Sequence, residues 1–112
     1  MPYLRIETNL ELKPEQKQAF LATASSELAK TLGKPEGYMM AQLVSGADLI
    51  FAGSREPCAY VELKSIGLKD SQMLSQFVCE LLTSQLGIPS RRVYIEFIDI
   101  DPKRWGWNGS TF

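Results

Sequence analysis

Three side chains of different chemistry lie at positions where each could act on a small molecule: Pro2, Lys34 and Tyr94. The chain opens Met1, Pro2, Tyr3, Leu4, Arg5, Ile6. Removal of Met1 leaves Pro2 with a free secondary amine, and methionine aminopeptidases act where the second residue is small. An amine held in an apolar pocket is a base, because burial disfavours its ammonium form. Lys34 follows Gly33 and precedes Pro35, a turn that presents a cation to a carboxylate. Ser65, Ile66 and Gly67 could expose a backbone N–H at a strand end, and Tyr94 shares a strand face with Glu96. Each has a plainer role as well. Most Met-Pro starts do no chemistry, a helix-end lysine is usually a solvated charge, and a strand tyrosine commonly packs on its sheet.

The elements that must position these groups come in two similar halves, about residues 1–54 and 55–112, of one domain spanning 1–112. Pro2, Leu4 and Ile6 alternate with Tyr3, Arg5 and Glu7, a strand pattern. Pro14 suits the first turn of a helix, whose stripe is Phe20, Ala24, Leu28 and Leu32. Gly33 ends that helix. Tyr38 to Ser45 reads as a second strand, followed by a short apolar stretch, Leu49 to Ala52. In the second half, Cys58 to Ile66 reads as a strand, and Asp70 or Ser71 caps a helix. That helix is striped by Leu74, Phe77, Val78, Leu81, Leu82 and Leu86. Leu86 to Pro89 repeats the Leu-Gly-x-Pro of Leu32 to Pro35. Arg92 to Ile100 is the last long strand, before a tail bearing Trp105, Trp107 and Phe112. The expected fold is α+β: tandem βαβ units (βαββαβ) forming a four-stranded mixed sheet with two helices on one face. The strands carry apolar residues in both directions, so the uncovered face is expected to pack against another copy. The aromatic tail either reaches that neighbour or folds back on its own sheet.

Composition removes other classes. The 112 residues include 12 basic and 13 acidic side chains, a formal charge of -1, so no footprint for nucleic acid or an anionic membrane is present. Histidine is absent, which excludes histidine triads, Cys-His dyads and histidine metal sites. Neither a metal nor a cofactor is expected. Cys58 and Cys79 are too few for a disulfide framework and read as small hydrophobes. Asn108, Gly109 and Ser110 form a sequon that reads as a turn. No long apolar run or signal-peptide core occurs, so the cytoplasm is the default compartment, with leaderless secretion left open.

The chain resembles the macrophage migration inhibitory factor family of the tautomerase superfamily from Met1 to Phe112. The resemblance is carried by the Met-Pro start, Thr8-Asn9, Thr31 to Pro35, Gly53-Ser54, Glu56 to Ala59, Ser65 to Gly67, Arg92 to Ile95, Gly106 to Asn108 and Ser110 to Phe112. It implies a homotrimer with active sites at subunit interfaces, and keto-enol tautomerase activity on phenylpyruvate-like, and also dopachrome-like, substrates. By the same resemblance Pro2 is the catalytic base. Lys34 and the N–H of Ile66 bind the substrate carboxylate, and Tyr94 comes from the adjacent subunit. Tyr3, Tyr38, Ser65, Trp107 and Phe112 line the pocket. Such an enzyme must set a neutral base beside a weakly acidic C–H and stabilise the enolate that develops.

Three positions depart from the family pattern. Glu96 stands where vertebrate members have an asparagine; it could pair with Lys34, raise the pKa of Pro2, or face solvent beside Arg91. The Cys-x-x-Cys is incomplete, since Val61 takes the second place, which argues against thiol-disulfide chemistry. Lys64 and Trp105 alter the pocket rim. The alternative to a tautomerase is a cytokine-like binding protein on the same scaffold, for which receptor binding has no readable motif. Hydration or dehalogenation at the same proline would call for further arginines beside the pocket, and the sequence places none there.

Overall fold

The computed structural model describes residues 1–112. Strand β1 (Tyr3–Thr8) leads to helix α1 (Pro14–Leu32) and strand β2 (Met40–Val44). Strand β3 (Ala59–Ser65), helix α2 (Ser71–Leu86) and strand β4 (Val93–Asp99) repeat that order. The sheet runs β2-β1-β3-β4, with β1/β2 and β3/β4 parallel and β1/β3 antiparallel. This is the expected four-stranded mixed sheet, with both helices on one face.

The alternating pattern of β1 decides which residues meet the helices. Pro2, Leu4, Ile6 and Thr8 are all buried. Leu4 is level with Leu63 and Ile6 with Val61 across the antiparallel pair. These four side chains join Phe20, Ala24 and Leu28 of α1 and Leu74, Val78 and Leu82 of α2 in a single core. Each fully buried leucine or phenylalanine there contributes roughly 1.5–3 kcal/mol.

Helix ends follow local chemistry. Pro14 occupies the first turn of α1, where its missing N–H is no loss, and the Lys13 N–H is taken by Gln16 Oε1 at 3.0 Å. Asp70, not Ser71, caps α2, accepting from the Met73 N–H at 3.2 Å. Both helices stop at a left-handed glycine, Gly33 (φ 67°) and Gly87 (φ 72°).

Some boundaries differ from expectation. Tyr38 does not begin a strand: Pro35 starts a 3-10 turn over Glu36–Tyr38, and β2 begins only at Met40. The open sheet face is mixed. It carries Arg5, Glu7, Gln42, Glu62, Lys64 and Glu96, with Arg5 and Glu7 paired at 3.1 Å. Period-two alternation placed apolar groups on both faces, and the register keeps Tyr3, Met40, Val44, Tyr60, Tyr94 and Ile98 on the open side. The most exposed apolar groups of that face are Met40 on edge strand β2 and Tyr94 on β4, and Ile50 is exposed in the loop before β3. Cys58 is buried as expected, whereas Cys79 is half-buried, with its thiol pushed up in pKa chiefly by that burial. No helix is long and apolar enough to cross a membrane.

The tail folds back on its own chain. Strands β5 (Gly106–Trp107) and β6 (Ser110–Thr111) form a hairpin closed by Asn108 and Gly109, both at positive φ, so the sequon is a tight turn.

Candidate active site

The sheet delivers Pro2 to one end of the molecule. Its carbonyl accepts from the Met40 N–H at 3.1 Å, which fixes the start of β1 against β2. Beside it opens a cavity of about 870 Å³ lined mostly by apolar groups. Three aromatic rings from two parts of the chain form its apolar side. Tyr38 stands edge-on to Trp107 at 5.6 Å and to Phe112 at 5.9 Å, and the latter two stack at 5.7 Å. The Phe112 N–H donates to the Trp105 carbonyl at 3.2 Å, which holds the end of the tail in place. Tyr3 also lines the cavity, and its hydroxyl donates to Gln42.

Lys34 approaches the terminus from the helix side. Gly33 in its left-handed conformation lets the Lys34 N–H reach the Ala29 carbonyl at 2.9 Å, and the chain leaves the helix with the lysine half-buried. Its Nζ donates to the Ile66 carbonyl at 2.9 Å. An ammonium has three N–H groups, so capacity remains for a ligand. Ile66 thus meets Lys34 through its carbonyl. Ser65 is buried at the end of β3, and its own carbonyl takes the Ile100 N–H at 2.9 Å. Lys34, Ser65 and Ile66 flank the terminus without forming the cavity wall.

Electrostatics at the terminus are those a base requires. Met1 precedes Pro2 here, so the Pro2 nitrogen is an amide and the free amine belongs to Met1. That amine is held below the usual α-amino value, first by burial and then by the Lys34 charge. Pro2 is more deeply buried than Met1, so burial would act on its amine with the same sign.

Two residues from the sequence lie elsewhere. Tyr94 is level with Tyr60 and, through it, with Glu7. That row lies roughly 16 Å along β1 from Pro2 at about 3.3 Å per residue. Tyr94 is 67% exposed and packs on Phe51 at 4.9 Å, beside a groove whose lining is wholly apolar. Beneath it, Arg92 donates to the carbonyls of Pro57, Phe51, Ser54 and Glu56 and lies over the Phe51 ring. Glu96 is also remote from the cavity. It pairs with neither Lys34 nor Arg91 but accepts from the Tyr60 hydroxyl at 3.3 Å. The Tyr60 pKa is pushed up by burial first and the Glu96 charge next. An alternating strand leaves Glu96 level with Glu62, on the open face and two strands from β1.

Sequence reasoning missed several cavity residues, among them Met40, Gln42 and Ile100 and one cation. Arg104 lines the cavity from the 3-10 turn Pro102–Arg104. Its position follows from the turn that Asp101 closes by accepting from the Lys103 N–H at 3.0 Å, an Asp-Pro signal visible in the sequence. Lys64 and Trp105, the altered rim positions, are both part of the wall.

Comparison with known proteins gives one consistent result. The macrophage migration inhibitory factor family matches residues 1–112. The chain is 43% identical to a macrophage migration inhibitory factor homolog of Brugia malayi, over all of this chain and 99% of that one. It is 36% identical to the macrophage migration inhibitory factor of Xenopus laevis at the same coverage. Among solved structures, a macrophage migration inhibitory factor homologue from Prochlorococcus marinus superposes with a TM-score of 0.93 at 42% identity, covering 98% of each chain.

Proposed function

Because the chain belongs to the macrophage migration inhibitory factor family, within the tautomerase superfamily, we propose that it is a keto-enol tautomerase of phenylpyruvate-like 2-oxo acids. The observation that carries this reading is the buried Pro2 on the wall of an aromatic cavity, where the present amino terminus, on Met1, is held below its usual pKa by burial first and then by the Lys34 charge. Once Met1 is removed, the base is the Pro2 amine. It takes a proton from the carbon beside the ketone, the C–H electrons form the C=C bond, the carbonyl electrons move to oxygen, and the ammonium then gives its proton to that oxygen to complete the enol. In the reverse direction the neutral Pro2 amine takes the enol O–H proton and, as the ammonium, gives a proton to carbon, so the amine is the resting form in both directions. Lys34 binds the substrate carboxylate, with the Ile66 N–H as a second donor. The rings of Tyr38, Trp107 and Phe112 hold the apolar end, with Tyr3 completing the wall and Ser65 buried behind it. The proline ring restricts the nitrogen, so little orientation entropy is lost before reaction.

Tyr94 joins this site from a neighbouring copy in a homotrimer. Its distance from Pro2 within one chain, its exposure and the apolar groove beside it support that placement. Glu96 lies away from the reacting atoms of its own chain and acts, if at all, across the same interface.

Ketonisation of enol-phenylpyruvate, followed by ultraviolet absorbance on protein whose mass confirms loss of Met1, tests the reading. Pro2→Gly should lower kcat/KM by about 10²–10⁴, the usual contribution of a positioned base. Absence of turnover in correctly processed wild-type protein would overturn the assignment. Sedimentation equilibrium should return three times the chain mass of 12.6 kDa, and an active monomer would remove Tyr94 from the site.

A further inference from the structure

On the tautomerase reading, a neighbouring copy closes the site with the strand edge that bears Tyr94, and that edge also carries a charge. Tyr94 and Glu96 alternate on β4 with Ile95 between them, so both stand on the open face, about 7 Å apart along the strand. Tyr94 cannot reach a neighbour's cavity without Glu96 arriving at its rim. Glu96 is exposed within its own chain, where it meets neither Lys34 nor Arg91. Its partner there is the Tyr60 hydroxyl at 3.3 Å, and a carboxylate has room for further donors.

The receiving wall is opposite in sign. It holds Lys64, level with Tyr3 on the open face, and Arg104 from the turn Pro102–Arg104, with no aspartate or glutamate of its own chain. Lys64 has Glu62 at 3.9 Å, whereas Arg104 is in none of the ion pairs Arg5–Glu7, Lys30–Glu27 and Lys64–Glu62. One cation is therefore left over where the neighbour brings one carboxylate. A carboxylate enclosed between subunits is costly unless a cation meets it, and a guanidinium fork meets it with two parallel hydrogen bonds. We propose that Glu96 of the neighbouring copy is the counter-charge of Arg104 in the assembled cavity, and that this pair fits the site to 2-oxo acids whose distal end carries no charge. This rests on the tautomerase reading and its homotrimer for the approach of Tyr94. With Arg104 occupied, a second carboxylate on the substrate meets Glu96 and finds no free cation.

The test compares phenylpyruvate with its para-carboxylated analogue on processed protein. Turnover is read by ultraviolet absorbance, and binding by the fluorescence of Trp105 and Trp107, which both line the cavity. Wild type should favour the monoacid. Glu96→Gln should raise kcat/KM and affinity for the diacid about tenfold, by freeing Arg104, and change phenylpyruvate far less. Adding Arg104→Gln should remove that gain. Arg104→Gln alone, at an exposed turn, should lower the diacid further, and serves if Glu96→Gln does not assemble. Mixed assemblies show whose Glu96 acts. In trimers of Glu96→Gln chains with an excess of Pro2→Gly chains, every working proline sits on a Glu96→Gln chain and most neighbours supply an intact Glu96, so the monoacid preference should return. A diacid preference in wild type, no gain in Glu96→Gln, an unchanged diacid in Arg104→Gln, or a gain that survives in the mixed trimers overturns the proposal. Diacid binding that rises in Glu96→Gln without turnover of either compound would sink the tautomerase reading and leave the charge pairing standing. Turnover without that rise would do the reverse.

Discussion

The two helix ends of this molecule share a left-handed glycine turn, with hydrogen bonds one residue apart in register, and put it to opposite uses. At the end of α1 the Gly33 N–H donates to Lys30 and the Lys34 N–H to Ala29. At the end of α2 the Gly87 N–H donates to Thr83 and the Ile88 N–H to Leu82. In both cases a left-handed glycine turns the chain and a proline follows one residue later. Ile88 is completely buried, whereas Lys34 stays half-buried and bonds the Ile66 carbonyl beside the amino terminus. A shared turn thus supplies a core residue in one half and a candidate binding cation in the other. The difference lies in one side chain, because the turn fixes direction and the side chain decides whether that direction ends in oil or at a ligand.

The largest expected effect breaks the comparison at its structural end. Ile88→Ala should destabilise the fold by about 2–5 kcal/mol, since it leaves a cavity in the core. Chemical denaturation reads this as a lower midpoint at unchanged slope, and a loss below about 1 kcal/mol would show that the site collapses around the smaller side chain.

Lys34→Gln addresses the other end. It should lower kcat/KM for phenylpyruvate roughly tenfold or more, by loss of a charge-assisted contact worth about 1.5–3 kcal/mol. Stability should change little. The pH profile gives a second readout with a definite sign. The neutral amine is the active form, so activity rises with pH as the base deprotonates. Removing a nearby cation makes the ammonium easier to keep, raises the base pKa and moves the rising limb to higher pH. A limb that stays in place would mean that Lys34 does not act on the base.

The smallest effect sharpens what the two ends have in common. No atom lies within 4 Å of where a Cβ would stand at Gly33 or Gly87, so the cost of alanine is conformational at both. Gly33→Ala and Gly87→Ala should each destabilise by about 1–2 kcal/mol. A large inequality in thermal unfolding between the two would show that one turn is held by something other than its backbone.

A parallel contrast separates Arg92 from Arg104. Arg92 is buried, and four carbonyls take its N–H groups, so it ties the Phe51–Pro57 loop beneath Tyr94. Arg104 is exposed in the cavity wall and lies in no ion pair. In sequence both are simply arginines near the start or end of a strand. Burial and partners distinguish a structural cation from an available one, and neither is a local property.

Local physics made much of the chain legible without coordinates. Pro14, Gly33, Asp70 and Gly87 marked helix ends because proline, left-handed glycine and an N-cap carboxylate act within a single turn. The stripes of Phe20, Ala24 and Leu28 and of Leu74, Val78 and Leu82 identified the buried helix faces, since a period of 3.6 residues needs no distant partner. The placement of Pro2 on the apolar side of its strand was equally readable from alternation. Only the tertiary structure decided what long-range register controls. It set Lys64 level with Tyr3 on a mixed open face, took Glu96 to Tyr60 instead of Lys34, and folded the tail so that Trp107 and Phe112 meet Tyr38. It also brought Arg104 to the cavity. Those arrangements depend on which strands pair and where a tail returns, and the free energy that selects them is shared among residues far apart in the chain.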